Sequence, residues 1–218
     1  MINTSKSNEL PANAGAGTNL DADTLLQASR RIDWRFLMPD PELGQVACLG
    51  ILPADLLDSL RLFSDSLTVL TPDVALNTLT EQYDIVVVQQ LSLDKLHSAA
   101  GLIRPGGYLY AENEGMLSPN GPRPPWKHGR LALPTGCIAA VSQAGFVDVQ
   151  AHWHWPNFAS CTRIIPLDDR GAVQYAFVSG GRSIKARLQS VIGRTLLWSG
   201  LLERIVPRFS IIARLDDR

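Results

Sequence analysis

Cysteine is scarce in this chain of 218 residues: Cys48, Cys137 and Cys161 are few, odd in number and far apart, with no C-x-x-C pair. That excludes a disulfide framework and a four-ligand structural zinc as organising devices, and no metal is expected. Reduced thiols fit a cytoplasmic chain. An excess of charge of one sign is also missing. Lys plus Arg number 20 against 21 Asp plus Glu, for a net charge of −1. No global field therefore draws in nucleic acid or an anionic membrane, and nucleic acid is not an expected partner. Nowhere does an apolar run reach the roughly 20 residues of a membrane span. The opening stretch, MINTSKSNELPANAGAGTNLDAD, lacks the apolar centre of a secretory signal. The expected location is cytoplasmic, with peripheral membrane contact left open. No internal repeat is visible.

What is present suffices for one domain of ordinary size, since 45% of the residues are hydrophobic and 19% charged. Residues 1–22 are rich in Asn, Ala, Gly, Ser and Thr and are expected to form a disordered tail, leaving 23–218 as a single domain. Asp23 to Ser29 suits a short helix, and Trp34, Phe36 and Leu37 form a packed lead-in.

From there apolar runs alternate with helical patterns. QVACLGI reads as a strand covered on both faces, SLTVLTP as the next strand and YDIVVVQQ as another fully apolar strand. PADLLDSLRLFS carries Leu56, Leu57, Leu60 and Phe63 at helical spacing, with Pro53 suited to the first turn. LSLDKLHSAAGLIR is the next helix, with Ser92 as N-cap. Pro105-Gly106-Gly107 then turns the chain into the strand YLYAENE. TGCIAAVSQAGF is a helix expected to start on Thr135 and stop at Gly145. VDVQAHWHWP alternates with period two, and RFSIIARLD is a last strand. Strands alternating with helices predict a three-layer α/β fold with a mostly parallel sheet.

The order of these words is similar to that of class I S-adenosylmethionine-dependent methyltransferases. GLIRPGGYLYAENEG resembles the family's Leu-x-x-Pro-Gly-Gly turn into the fifth strand. CIAAVSQAGFVDVQ resembles its helix into the sixth strand, and YDIVVVQQLSLDKL its fourth strand and following helix. IIPLDDRGAVQYAF resembles a tail of such domains near sugar-polymer and natural-product biosynthesis. The match runs from about Gln45 to the C-terminus. It implies a Rossmann-like methyltransferase fold with an antiparallel last strand, S-adenosylmethionine as cofactor, and a small-molecule or glycan or lipid-linked acceptor.

Two departures bear on the cofactor. The family's first strand ends in an acidic residue followed by Gly-x-Gly-x-Gly; here Gly50 matches the first glycine, while Ile51, Leu52 and Pro53 replace the rest and Ala47 or Cys48 takes the acidic place. Bulky Ile51 and Leu52 are expected to crowd the methionine end of the cofactor, and Pro53 removes an N–H donor. Gly50 serves either cofactor approach or merely a tight strand-to-helix turn. Beyond the second strand, Thr71 and Asp73 stand where the family holds the ribose. Only about a dozen residues separate Leu70 from Asp84, too few for the helix and third strand that shape the adenine pocket.

The remaining candidates lie at strand ends and in loops. Gln89 and Gln90 end a central strand, where α/β ligands bind, and are cofactor contacts or solvent-facing amides. Glu112, Asn113 and Glu114 end the next strand; Glu112 suits a general base on an acceptor hydroxyl or amine, with Asn113 beside it. A Pro/Gly-rich loop, Gly115 to Pro134, carries Trp126, Lys127, His128 and Arg130 and reads as a lid or as a stiffened surface loop. His128 is the third catalytic candidate. HWHW puts His152 and His154 on one face, but with no third ligand it reads as an edge strand with Trp153 and Trp155 packed on the core. An inserted basic helical segment of roughly fifty residues, about 157–207, is expected between the last two strands. In the overlapping stretch 181–208, six basic residues oppose Glu203 alone, which suits an anionic membrane, a homodimer contact or a protein partner. Two functions follow from the resemblance: a methyltransferase, or a catalytically inactive relative serving as partner or scaffold in a biosynthetic complex. A dehydrogenase is disfavoured because no Gly-x-Gly-x-x-G follows the first strand.

Overall fold

β1 (Gln45–Leu49) and β3 (Tyr83–Gln89) show why an apolar run without alternation becomes a central strand. Val46, Ala47, Cys48 and Val86, Val87, Val88 are all fully buried, half of them on each face of the sheet. The computed structural model describes residues 21–70, 81–115, 118, 131, 133–178 and 206–217. Within them the chain runs α1 (Ala22–Arg31), a 3-10 turn (Asp33–Leu37), β1, α2 (Ala54–Phe63), β2 (Ser66–Leu70), β3, α3 (Leu93–Leu102), β4 (Ile103–Glu114), α4 (Pro134–Gln143), β5 (Phe146–Trp155), β6 (Arg163–Pro166), α5 (Arg170–Val178) and β7 (Arg208–Leu215).

The strand order is β2-β1-β3-β4-β7-β5-β6. β2, β1, β3 and β4 are mutually parallel, and β7 enters antiparallel between β4 and β5. This is the three-layer, Rossmann-like α/β architecture expected from the sequence, with a mostly parallel sheet and the last strand antiparallel. One apolar layer gathers Val86, Val88, Leu109 and Ile211 with Leu96, Cys137, Val141 and Val173 from α3, α4 and α5. The other gathers Val46, Cys48, Val87 and Tyr110 with Ile32, Trp34, Leu56 and Leu60 from the lead-in and α2. Trp34 stacks on Tyr110 with ring centroids 3.8 Å apart and planes 8° from parallel. Phe36 remains outside, sharing the Arg35 guanidinium with Phe63 at 4.9 and 4.6 Å.

Several local expectations are refined. Ser92 does cap α3, accepting from the Lys95 amide at 3.3 Å, and Gly145 takes the left-handed conformation (φ +92°) that ends α4. Thr135 is not the cap of α4: Pro134 already occupies the first turn and Leu133 stands at the cap. The Pro105-Gly106-Gly107 turn is a bulge inside β4 rather than a separate loop. Tyr83 pairs with Ile103 and Ile85 with Tyr108, so four residues of β4 stand opposite Asp84 alone. A side chain on Gly107 would meet the Asp84 carbonyl oxygen at 2.8 Å.

β5 is not an edge strand. β6, which the alternation of the sequence did not mark, pairs antiparallel with it and takes the edge. The 157–207 insertion is accordingly not purely helical, since it begins with β6 and α5. His152 and His154 become buried as a result, while Trp155 is left half exposed instead of packed on the core. The 1–20 segment, the shortened 71–80 connection, most of the 115–134 loop and the basic segment from 181 to 205 lie outside the described residues.

Candidate functional site at the carboxyl rim of the sheet

The chain leaves β1 for β2 on one side and for β3 on the other, so the crevice between β1 and β3 is the topological switch point where ligands of open α/β sheets bind. Gly50 lines it. Its φ of +89° lies in the left-handed region, and its N–H donates to the Leu70 carbonyl at 3.0 Å. Among the described residues, a side chain added there would meet only Lys95, at an ordinary 3.6 Å. The glycine is thus required by backbone conformation, not by crowding. Ile51 is 89% exposed, and Leu52 turns away into the layer beneath α2. The expected crowding of the crevice by these two side chains is corrected: one is in solvent and the other in the core. Pro53 caps α2 and accepts the Leu56 and Leu57 amides at 3.1 Å through its carbonyl.

The rim of β3 and β4 is one continuous edge, because Gln89 pairs with Glu112 in register. The Gln90 amide donates to the Glu112 carbonyl at 2.8 Å, with Gln90 itself at φ +56°. Lys95, from the first turn of α3, folds back over this edge. Its Nζ donates to the carbonyl oxygens of Gln89 (2.6 Å) and Gln90 (3.1 Å). Burial pulls its pKa below the ordinary lysine range. Asn113 is 2% exposed; its Oδ1 accepts the Leu91 amide at 2.9 Å, and its Nδ2 has no hydrogen-bond partner among the described residues.

Glu112 is 1% exposed, and both its oxygens are taken. Arg31, at the end of α1, grips it with two donors at 2.6 and 2.9 Å, and the Tyr110 hydroxyl adds a third at 3.1 Å. The third Arg31 nitrogen, Nε, donates to Asp55 in the first turn of α2 at 2.6 Å. Burial opposes the Arg31 charge, but the hydrogen bonds and charge of Glu112 outweigh it and raise its pKa. Burial, reinforced by Glu112, also holds the Tyr110 phenol well above its usual range. The general base expected at Glu112 is therefore a buried half of an ion pair. Glu114 is tied as well, to Arg208 at 3.1 Å.

The same lateral row continues across the sheet. Glu112 pairs with Ser210 of β7, and Ser210 with His152 of β5. His154, on the same face, shares a 2.8 Å hydrogen bond between its Nε2 and the Ser210 hydroxyl. Burial drives the His152 pKa down to about 4, opposed by Asp168, and that of His154 to about 3, reinforced by His152 and Arg31. His152 Nδ1 has no partner among the described residues.

The structure thus brings together Gly50, Gln89, Gln90, Glu112 and Asn113. Thr71, Asp73 and His128 lie outside the described residues. Arg31, Asp55, Lys95 and Ser210 were not foreseen: their partners lie up to 81 positions away in the chain, and no local pattern marks them. Among the described residues no group of three His, Cys, Asp or Glu is placed to hold a metal ion, and no helix is long and apolar enough to cross a membrane.

No protein-family model matches this chain, and no curated protein does. Solved structures do. A SAM-dependent methyltransferase from Archaeoglobus fulgidus is similar at 16% identity and a TM-score of 0.48, over 87% of this chain and 93% of that one. A methyltransferase from Geobacter sulfurreducens in complex with S-adenosyl-L-homocysteine is similar at 12% identity and a TM-score of 0.41, over 90% and 91%. Phosphoethanolamine N-methyltransferase 2 of Haemonchus contortus, in complex with S-adenosyl-L-methionine, is similar at 11% identity and a TM-score of 0.45. There the match covers 88% of this chain, which spans only 56% of the Haemonchus enzyme. At these identities the likeness is one of chain course, and the chemistry of this protein rests on its own residues.

Proposed function

We propose that this protein is a methyltransferase that binds S-adenosylmethionine in the β1–β3 crevice and acts on a small molecule or a glycan or lipid-linked precursor. The observation that carries this reading is the strand order with β7 antiparallel between β4 and β5. It puts the Gly50 turn, Gln89–Gln90 and Glu112–Asn113 on one rim, at the switch point. The residues fit such a ligand: Gly50 keeps the backbone turn open, Ile51 leaves the crevice clear, and the half-buried Gln89 and Gln90 offer amides. In this reading Thr71 and Asp73 hold the ribose. The bound cofactor supplies an activated methyl group.

The chain's own part in such a reaction is alignment, which methyl transfer needs above all. Asn113 presents a buried amide with a free N–H toward an acceptor oxygen. Glu112, Arg31 and Tyr110 hold the rim beneath it rigid. His128, on the loop after β4, is the remaining proposed contact to the acceptor and its proton.

Calorimetric titration with S-adenosylmethionine and S-adenosylhomocysteine tests the reading. The expected result is saturable heat at micromolar ligand. No heat at high micromolar concentration of either compound sinks it.

A second reading, an inactive relative acting as partner or scaffold, draws support from Glu112 being locked in its ion pair and from the Lys95 ammonium standing in the crevice. The six-to-one charge count of segment 181–208 supports contact with an anionic membrane or a protein partner. Liposomes with anionic lipid are expected to sediment the protein at low salt. Equal recovery on neutral liposomes contradicts membrane contact.

A further inference from the structure

Lys95 is placed where a lysine is locally unfavourable. It sits in the first turn of α3, where the helix dipole favours anions and disfavours cations. Its ammonium is desolvated without a charged partner: among the described residues no carboxylate pairs with it, and burial is the one influence on its pKa. Two backbone carbonyls take two of its three protons, and the third has no protein acceptor among the described residues. A half-buried cation held this way carries an electrostatic cost that a bound anion relieves.

Asn113 supplies a second and independent sign at the same turn. Its Oδ1 is anchored on the amide of Leu91, the residue directly before the cap of α3. Its Nδ2, buried, is a donor with no acceptor among the described residues. Such an orphan is destabilising unless something satisfies it. Cation, orphan amide and helix N-terminus therefore all present donors around the β3–α3 turn. We infer that this turn is an anion-binding subsite, in which Lys95 Nζ and Asn113 Nδ2 take the carboxylate or phosphate group of a ligand lying on the rim. The subsite borders the Gly50 turn, where an added Cβ would lie 3.6 Å from Lys95 Nζ; it deepens the function proposed above by naming an anionic group of the ligand, and it needs no adenosyl ligand.

The test is calorimetry on the full chain with inorganic phosphate, S-adenosylhomocysteine, and 5′-methylthioadenosine, which lacks the amino-carboxylate. Wild type is expected to bind phosphate saturably at millimolar concentration. Lys95→Met should weaken that binding at least about tenfold, as loss of a charge-assisted hydrogen bond does, and Lys95→Arg should restore most of it. Asn113→Asp keeps the acceptor for Leu91 and replaces the free N–H with a carboxylate oxygen. It should weaken phosphate binding in the same way. Thermal unfolding of each variant confirms that it is folded.

The adenosyl arms distinguish the source of the anion. If the carboxylate of the adenosyl ligand occupies the subsite, phosphate competes with S-adenosylhomocysteine, and Lys95→Met removes its advantage over 5′-methylthioadenosine. If phosphate and S-adenosylhomocysteine bind together, the anion belongs to the acceptor. Phosphate binding that depends on Lys95, with no adenosyl binding at all, upholds the subsite and overturns the methyltransferase reading. Affinities for all three probes that are equal in wild type and Lys95→Met overturn the subsite, as does an absence of phosphate binding combined with equal affinity for the two adenosyl compounds.

Discussion

Replacing Arg31 by methionine is expected to lower the unfolding free energy of the chain by about 3–5 kcal/mol, the cost of breaking a buried ion pair by removing one partner. The physical reason is what stays behind. Glu112 keeps only the Tyr110 hydroxyl on a carboxylate that is 1% exposed, and Asp55 loses its cation. The loss is not confined to one contact. Arg31 joins the end of α1 to the first turn of α2 and to the rim of β4, so its removal loosens the packing of the N-terminal helix on the sheet. Urea unfolding read by circular dichroism gives the magnitude, and limited proteolysis within 22–31 reads the release of α1. A double variant, Arg31→Met with Glu112→Leu, should recover much of the loss, because no charge is then left unpaired. A loss below about 1 kcal/mol in the single variant, the usual worth of an exposed pair, contradicts the buried network.

The same network marks the boundary between what the sequence made legible and what it did not. β1, β3 and α2 were legible because burial on both faces leaves apolar runs and a helical face leaves a period, and both are local properties. The rim position of Gln89, Gln90, Glu112 and Asn113 followed from strand ends alone. The state of Glu112 did not follow, because its partner is Arg31, a residue that looks like any basic residue in the last turn of a surface helix. Lys95 was hidden in the opposite way: it belongs to the amphipathic pattern of α3, and only the bend of β3 into α3 turns it back over Gln89 and Gln90. Ile51 and Leu52 misled because size was read without direction. β6 escaped notice because RIIP is a four-residue edge strand with no alternation to announce it, and that omission alone turned buried His152 and His154 into residues of an exposed edge.

Those two histidines carry the other large prediction. Lowering the pH from 7.5 to 5 is expected to remove about 4 kcal/mol of stability through them, about 2 kcal/mol each. Burial first, with Arg31 and the neighbouring imidazole adding to it for His154, holds the folded pKa values at about 4 and about 3. The unfolded chain has them near the ordinary 6.5. Between those values the unfolded state binds more protons than the folded one. Stability is therefore fully present above about pH 6.5 and drains away as the pH falls toward the folded values. Asp168 works in the other direction on His152, but burial outweighs it. The window from 7.5 to 5 is chosen because most carboxylates remain ionised across it. Denaturant unfolding at half-unit steps should show a slope approaching about 2.7 kcal/mol per pH unit near pH 5, the value for two protons. His152→Phe removes one titrating group and also the unpartnered Nδ1 atom. Its slope should fall by about half, and at pH 7.5 it should be as stable as wild type or more so, since an orphaned polar atom is replaced by an apolar ring. His154→Phe should halve the slope too, yet cost stability at pH 7.5, because it strands the Ser210 hydroxyl in the core. Equal slopes in wild type and both variants would place the acid sensitivity elsewhere and contradict the buried, neutral state of the pair.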